Sequence, residues 1–338
     1  MGSEGVLVWP NPHTNLDVSA STFFSLLEAG DIESEEEVER EHVYWNTDLT
    51  SLKPRCLFDT QDVRDFIWES SHYQLNLWAG RDVITHLHFD SYVNFYFQIV
   101  GKKEFLLCPP NRSQDLAPYP FLHPSYSHSQ WIWRDEASFR ERLRQIGCLS
   151  ALLRPGDLLY VPPYYYHHVI SYDVSVSVNT WSHTHESDAF QKFVNEVAEI
   201  LSQMVDVERC GSSRAVVGWM IRHLRDTLCD AKGDLFCDEE YFSNLVRVRY
   251  DTFCENRDIS AALCSSPPTF ACPATEDVSL VRMECADMEH ALTNAEGLLF
   301  SIHSDEAPFW ISNYLEMISL DGNSGDVRET IWFLRECV

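Results

Sequence analysis

No run of 18 or more apolar residues occurs anywhere in the chain. No helix long enough to cross a bilayer is therefore expected, and no membrane partner. The start, Met1-Gly2-Ser3-Glu4-Gly5, lacks a basic stretch leading into an apolar one, so a secretory leader is not expected. Cys-x-x-Cys is also missing, although 11 cysteines are scattered over the 338 residues. That removes the commonest zinc and dithiol patterns. The thiols read as reduced, small apolar fillers of a cytoplasmic and/or nuclear protein. Positive charge is scarce: 25 Lys and Arg stand against 52 Asp and Glu, for a net charge of −27. Broad binding to a phosphate backbone is disfavoured, and a basic protein partner suits the balance better than nucleic acid.

What is present divides the chain by period. Residues 1–15 show no clear repeat, and 19–29 read as a capped amphipathic helix ending at Gly30. The acidic stretch 33–41 reads as solvated, and a strand-like run begins at 41–46. Residues 61–69 suggest a short helix; 73–80 and 84–90 suggest strands. Residues 94–100 alternate, Gly101 supplies a hairpin turn, and 103–107 return as a second strand. A long loop rich in Pro, Ser, Tyr and His covers 111–133, a candidate cleft wall, and 135–146 read as a charged helix. Strands resume at Leu152, with a tight turn at Pro155-Gly156-Asp157. Val174, Val176 and Val178 share one strand face; Ser175, Ser177, Asn179 and Trp181 share the other, as in the lining of a wet cavity inside a barrel. Helical spacing takes over after Glu186, at 190–204, 216–228, 241–253, 276–298 and 328–334. The expected organisation is an N-terminal arm and helix over 1–40, a β-rich domain over 41–186, and a helical domain over 187–338.

Within the β-rich part, strand alternation places His88 and Asp90 on one face. One imidazole and one carboxylate leave a divalent metal a ligand short, and His167 on a distant strand supplies a third, giving a two-His-one-carboxylate set suited to Fe(II). His86 shares that face by the same alternation and stands as a packed residue or a further ligand. Lys103 lies in an apolar strand beside Phe105 and Leu107, where an unpaired ammonium is costly and an anion is needed.

These residues carry a resemblance. His88-Phe89-Asp90, Asn94, Gly101-x-Lys103, Cys108-Pro109-Pro110, Pro155-Gly156-Asp157 through Val161-Pro162, and His167 resemble the JmjC (cupin-like) 2-oxoglutarate oxygenases. Tyr119-Pro120, His123-Pro124, Ser129-Gln130 and Asn179-x-Trp181 are similar to the asparaginyl-hydroxylase branch that acts on hypoxia-inducible factor. The resemblance implies a double-stranded β-helix (a cupin/JmjC jelly roll), mostly β with helices, followed by an α-helical C-terminal region. It implies Fe(II) on His88, Asp90 and His167, and 2-oxoglutarate with its far carboxylate on Lys103, Tyr44 and Thr85. Asn94 and Asn179 would sit close to that cosubstrate. O2 would be consumed, succinate released, and a C–H bond of a protein side chain hydroxylated. Asn46, Tyr119, His128 and Trp181 would meet the substrate, and the C-terminal helices would form a homodimer. The alternatives are a tRNA or other nucleic-acid hydroxylase, a histone lysine demethylase, and a non-enzymatic cupin binding module. At Ser127 and His128 the sequence departs from the asparaginyl-hydroxylase pattern.

Overall fold

Long strands that bend, rather than hairpins, organise the β-rich part of the chain. The computed structural model describes residues 20–29, 44–49, 73–121, 123–131, 135–184, 188, 192, 195, 213–232, 236–255, 263–264, 271–274, 297, 307–322 and 326–338. They fall into two compact units, one of residues 1–109 and 132–184, the other of 110–131 and 185–338.

Among the described residues the first unit holds seven strands: β1 (Tyr44–Asp48), β2 (Tyr73–Arg81), β3 (Ile84–Phe89), β4 (Val93–Cys108), β5 (Leu149–Leu153), β6 (Leu158–Val161) and β7 (Tyr166–Ser182). β4 and β7 pair antiparallel along nearly their whole length, from Val93 opposite Ser182 to Cys108 opposite Tyr166. The second half of β7 also pairs with β2, which pairs with β1, and the first half of β4 pairs with β6. The first half of β7 pairs instead with β3, and the second half of β4 with β5. Two antiparallel layers therefore share two continuous strands, which is the cupin jelly roll.

The hairpin expected at Gly101 is not formed. Gly101 is a bulge inside β4, where the register against β7 slips on either side of Val100. Its φ is +72°, and a Cβ there would lie 2.0 Å from the carbonyl oxygen of Val174. Only glycine admits both that dihedral and that approach. Asp173, with φ +55°, marks the matching irregularity on β7. The bend lets Tyr96 and Lys103, seven residues apart on one strand, meet.

The inner faces carry Tyr96, Phe105, Leu107, Leu153, Val161 and Val169 as one buried cluster. The opposite face of the β1–β2–β7 layer is apolar. Ala79 packs with Trp45, Val174 and Val176 against Phe23 and Leu27 of α1 (Ala20–Ala29). The aliphatic face of β7 thus meets a core, and Ser175, Ser177 and Asn179 on its other face are also buried.

In the second unit, α2 (Ser113–Leu116) opens the 110–131 segment. A further helix of the first unit, α3 (Glu136–Ile146), is capped by Asp135, whose carboxylate accepts from Ser138 N, and ends at Gly147. The remaining helices among the described residues are α4 (Ser213–Lys232), α5 (Glu239–Glu255), α6 (Ala307–Gly322) and α7 (Val327–Glu336). α4, α5 and α7 cover three of the expected helical stretches. α6 was not anticipated: it is apolar nearly all round and buried on almost every side, so it shows no stripe at helical period. The apolar stripes of the four long helices are buried within one chain, and Val327 is their one large exposed hydrophobe among the described residues. The expected elements at 33–41, 61–69, 190–204 and 276–298 fall largely outside the described residues.

At the centre of these helices Arg249 and Glu316 form an ion pair at 2.9 Å, both almost fully buried. Arg249 also donates to Asn313 and Ser312, while Glu316 accepts from the Tyr250 hydroxyl and from Phe121 N. Gln130 donates to the carbonyls of Pro118 and Arg249. The long loop is therefore anchored in the helical unit by satisfied polar groups.

The eight cysteines among the described residues are not separate thiols. Cys108–Cys148, Cys229–Cys237, Cys254–Cys264 and Cys272–Cys337 are disulfides, which corrects the reduced state expected from their spacing.

Candidate metal centre

Ile84–Phe89 begins in regular pairing with β7, Thr85 opposite Val169. A β-bulge before His88 then shifts the register by one, so that His88 lies opposite His167. Their rings stand 4.2 Å apart by centroid. The bulge also corrects the expectation that His86 and His88 share a face. His86 sits edge-on to His168, 6.5 Å between centroids, and His168 packs against Phe139 of α3. Asp90 follows β3 directly, with its carbonyl accepting from Tyr164 N.

The three side chains converge. His88 Nε2 lies 4.0 Å from Asp90 Oδ1, and His167 Nε2 lies 3.5 Å from Asp90 Oδ2. Donor atoms of all three fall within 4.8 Å of one another, and no other such group occurs among the described residues. The other nitrogen of each ring is engaged: His88 Nδ1 with the carbonyl of His86 at 2.7 Å, and His167 Nδ1 with that of Tyr165 at 3.0 Å. A carbonyl only accepts, so each Nδ1 donates, which leaves each Nε2, on the Asp90 side, as the ring atom available to a metal. Burial, with His167 alongside, lowers His88 to about 4 despite Asp90, which keeps it neutral. Ligands bound at 2.0–2.2 Å stand roughly 3 Å apart, so this donor set fits one divalent cation after a small contraction.

Lys103 is almost fully buried on the inner face of β4, opposite Ser171 and Leu153. Its Nζ donates to the Tyr96 hydroxyl at 2.7 Å, and that hydroxyl in turn bonds Ser177 Oγ. Burial brings the ammonium down to about 7 and pushes the Tyr96 phenol up. Neither Glu104 nor Asp157 takes this lysine among the bonds seen. Glu104 holds Arg140 in a two-pronged pair, and Asp157 accepts from Arg154 N. Tyr44 stacks on Trp78, and its phenol is raised by burial and by neighbouring Tyr96. Trp78 donates to Asn179 Oδ1 at 2.6 Å, and Asn179 donates to Asn94 Oδ1 at 2.9 Å. Trp181 lies edge-on to Trp78 and stacks on Tyr92.

Of the candidates drawn from the sequence, His88, Asp90 and His167 come together, and Asn94 and Asn179 bond each other. Tyr44 and Lys103 both adjoin Tyr96, and Thr85 lies on β3 opposite Val169. Asn46 is exposed on β1, opposite Trp78. Tyr119 and His128 belong to the helical unit, where Tyr119 N donates to the carbonyl of His128 and Tyr119 stacks on His123. Tyr96 and Trp78 were missed. The alternation Asn94-x-Tyr96-x-Gln98 carried a signal, since it sets three polar residues on one face of an otherwise apolar strand.

A two-layer jelly roll with two imidazoles and a carboxylate on its inner side defines a cupin-type protein. The sequence profile of the cupin-like domain matches residues 11–188, more than half of the chain, and the chain belongs to that family. Among relatives, it is 30% identical over 144 residues to the lysine-specific demethylase JMJ30 of Arabidopsis thaliana, covering 39% of this chain and 33% of that protein. It is 39% identical over 115 residues to the HSPB1-associated protein 1 homolog of Danio rerio, covering 31% and 24%. It is 28% identical over 129 residues to the human bifunctional peptidase and (3S)-lysyl hydroxylase JMJD7, covering 32% and 40%. The chain thus spans from about a quarter to two-fifths of the length of these curated relatives. Among solved structures, the ribosomal oxygenase YcfD of Escherichia coli is 15% identical, with a TM-score of 0.21 over 37% of this chain and 28% of that one. That score is too low to argue from.

Proposed function

We propose that the chain is an Fe(II)- and 2-oxoglutarate-dependent oxygenase that hydroxylates a protein side chain. The observation that carries this reading is the convergence of His88 Nε2, Asp90 and His167 Nε2 at 3.5–4.0 Å, with both Nδ1 atoms tied to backbone carbonyls. His88, Asp90 and His167 would hold the iron. Bound iron, with 2-oxoglutarate and O2, supplies oxidising power sufficient for an unactivated C–H bond. The residues supply binding and orientation. Lys103 would take the far carboxylate of 2-oxoglutarate, with the Tyr96 hydroxyl already in place to steer its ammonium, and with Tyr44 and Thr85 as further hydroxyl donors. Asn94 and Asn179, locked to each other and to Trp78, would present amide groups beside the cosubstrate. Asn46 and Trp181 remain candidates for substrate contact, as do Tyr119 and His128.

A protein substrate is favoured by the names of the relatives, one a lysyl hydroxylase and one a lysine demethylase, and by the net charge of −27. Demethylation is the second reading, supported by the match to JMJ30. The test is succinate formation from 2-oxoglutarate by the purified chain with Fe(II) under air. Turnover that is lost in Asp90→Ala supports the oxygenase reading. A folded wild-type chain that forms no succinate, alone or with protein extract, removes it and leaves a binding module.

A further inference from the structure

All eight cysteines among the described residues are joined in pairs, with Cα separations of 4.3, 4.7, 5.6 and 5.4 Å. We infer that this chain matures and works in an oxidising compartment. The inference departs from the cytoplasmic or nuclear location suggested by cysteine spacing alone.

Three arguments carry it. First, the pairing takes in every cysteine among the described residues, which is more than incidental contact would give. Scattered thiols that merely filled a core would rarely all come within reach of a partner, because bridging needs Cα atoms closer than about 7 Å. Second, the pairs sit where the fold needs closure. Cys108 ends β4 and Cys148 precedes β5, whose pairing with β4 runs to Leu107 opposite Leu149. Cys229 lies in the last turns of α4, and Cys237 adjoins Asp238, which accepts from Glu240 N and Tyr241 N at the start of α5. Cys254 lies in the last turn of α5, and Cys337 follows α7. Third, Cys237 and Cys272 are exposed. A solvent-facing disulfide meets the thiol pool of its compartment, and in a reducing cytosol it would not persist. Metal binding does not explain the pairs, because no described cysteine has the two further ligands that a zinc site needs.

Each pair forms by loss of two protons and two electrons. The electron acceptor is a disulfide-exchange catalyst, whose own disulfide is reduced to a dithiol as the new bond forms. If the oxygenase reading holds, on which this clause alone rests, the substrate is a polypeptide that passes through the same oxidising compartment.

The test traps thiols in cells that make the full chain. Acid quenching is followed by alkylation before and after reduction, and by peptide mapping. The expected result is that all eight cysteines resist alkylation until reduced, with four cross-linked peptides in the pairing above. Alkylation of these cysteines without prior reduction would overturn the inference. Neither result depends on turnover. For the substrate clause, the iron- and 2-oxoglutarate-loaded protein is incubated with secretory-pathway proteins and, separately, with cytosolic proteins. Gain of one oxygen atom in the secretory fraction supports the clause, and gain confined to the cytosolic fraction overturns it. No gain in either, with no succinate, removes the oxygenase reading and this clause together, while the thiol result stands.

Discussion

Replacing Lys103 with methionine should make the protein more stable and less functional. The side chain is 4% exposed and its ammonium falls from an ordinary 10.5 to about 7 because burial strips its water. The folded value lies below the unfolded one, so the unfolded chain binds the extra proton between these limits. Stability therefore rises with pH from about 7 to 10.5, and is lowest below 7. At roughly 1.4 kcal/mol for each factor of ten, the charged lysine costs the fold at most about 5 kcal/mol near neutral pH. Methionine retains the methylene packing, but loss of the hydrogen bond to Tyr96 reduces the expected gain for Lys103→Met to about 2–3 kcal/mol. Urea unfolding at pH 6.5 measures it, and the gain should shrink as the pH approaches 10. The same variant should keep its metal yet need at least tenfold more 2-oxoglutarate for turnover, since the ammonium that its carboxylate would meet is gone. In the wild type, 2-oxoglutarate affinity should weaken above pH 7, where free Lys103 loses its proton. A variant that is less stable than wild type at pH 6.5, or that turns over with an unchanged 2-oxoglutarate requirement, would refute the reasoning.

Two further predictions concern the scaffold. Glu104 is held down to about 2, first by the Arg140 guanidinium and then by Ser150 and Tyr172, against its own desolvation. Its folded value is depressed, so its contribution is complete above about 4.5 and is lost as pH falls toward 2. Arg140→Met should cost about 2 kcal/mol at pH 7 and less than about 0.5 at pH 2 by urea unfolding, and a pH-independent cost would contradict the pairing. Gly101→Ala places a methyl group 2.0 Å from the Val174 carbonyl at a φ of +72°. It should destabilise by about 3 kcal/mol or more, and a loss under about 1 kcal/mol would show that β4 does not bend there.

Much of this was legible because it depends on local pattern. The polar face of β7 shows in Ser175, Ser177 and Asn179, and the capped helix after Asp135 shows in its own sequence. The metal-ligand candidates were legible, and so was their convergence, but the backbone irregularity that brings it about was not. Strict alternation groups His86 with His88, and only the bulge between Thr85 and His88 separates them. A bulge is decided by pairing with a distant strand, here β7, and leaves little local trace. Gly101 misled for the same reason: glycine signals positive φ, and both a hairpin and a bulge need it. α6 escaped because a helix buried on every side has no stripe to read, and because Glu316 at its centre looks like a surface residue until Arg249 and Tyr250 are seen around it. The disulfides were hidden because pairing depends on where the ends of strands and helices meet in space.

The claim that His88, Asp90 and His167 form one metal site is tested most directly by anaerobic titration of the purified chain with Fe(II), following bound metal per chain. One Fe(II) per wild-type chain is expected, with the same stoichiometry in Lys103→Met and none retained in Asp90→Ala or His167→Ala that remain folded. Undiminished binding in folded Asp90→Ala and His167→Ala, or no binding by the wild type, would contradict it.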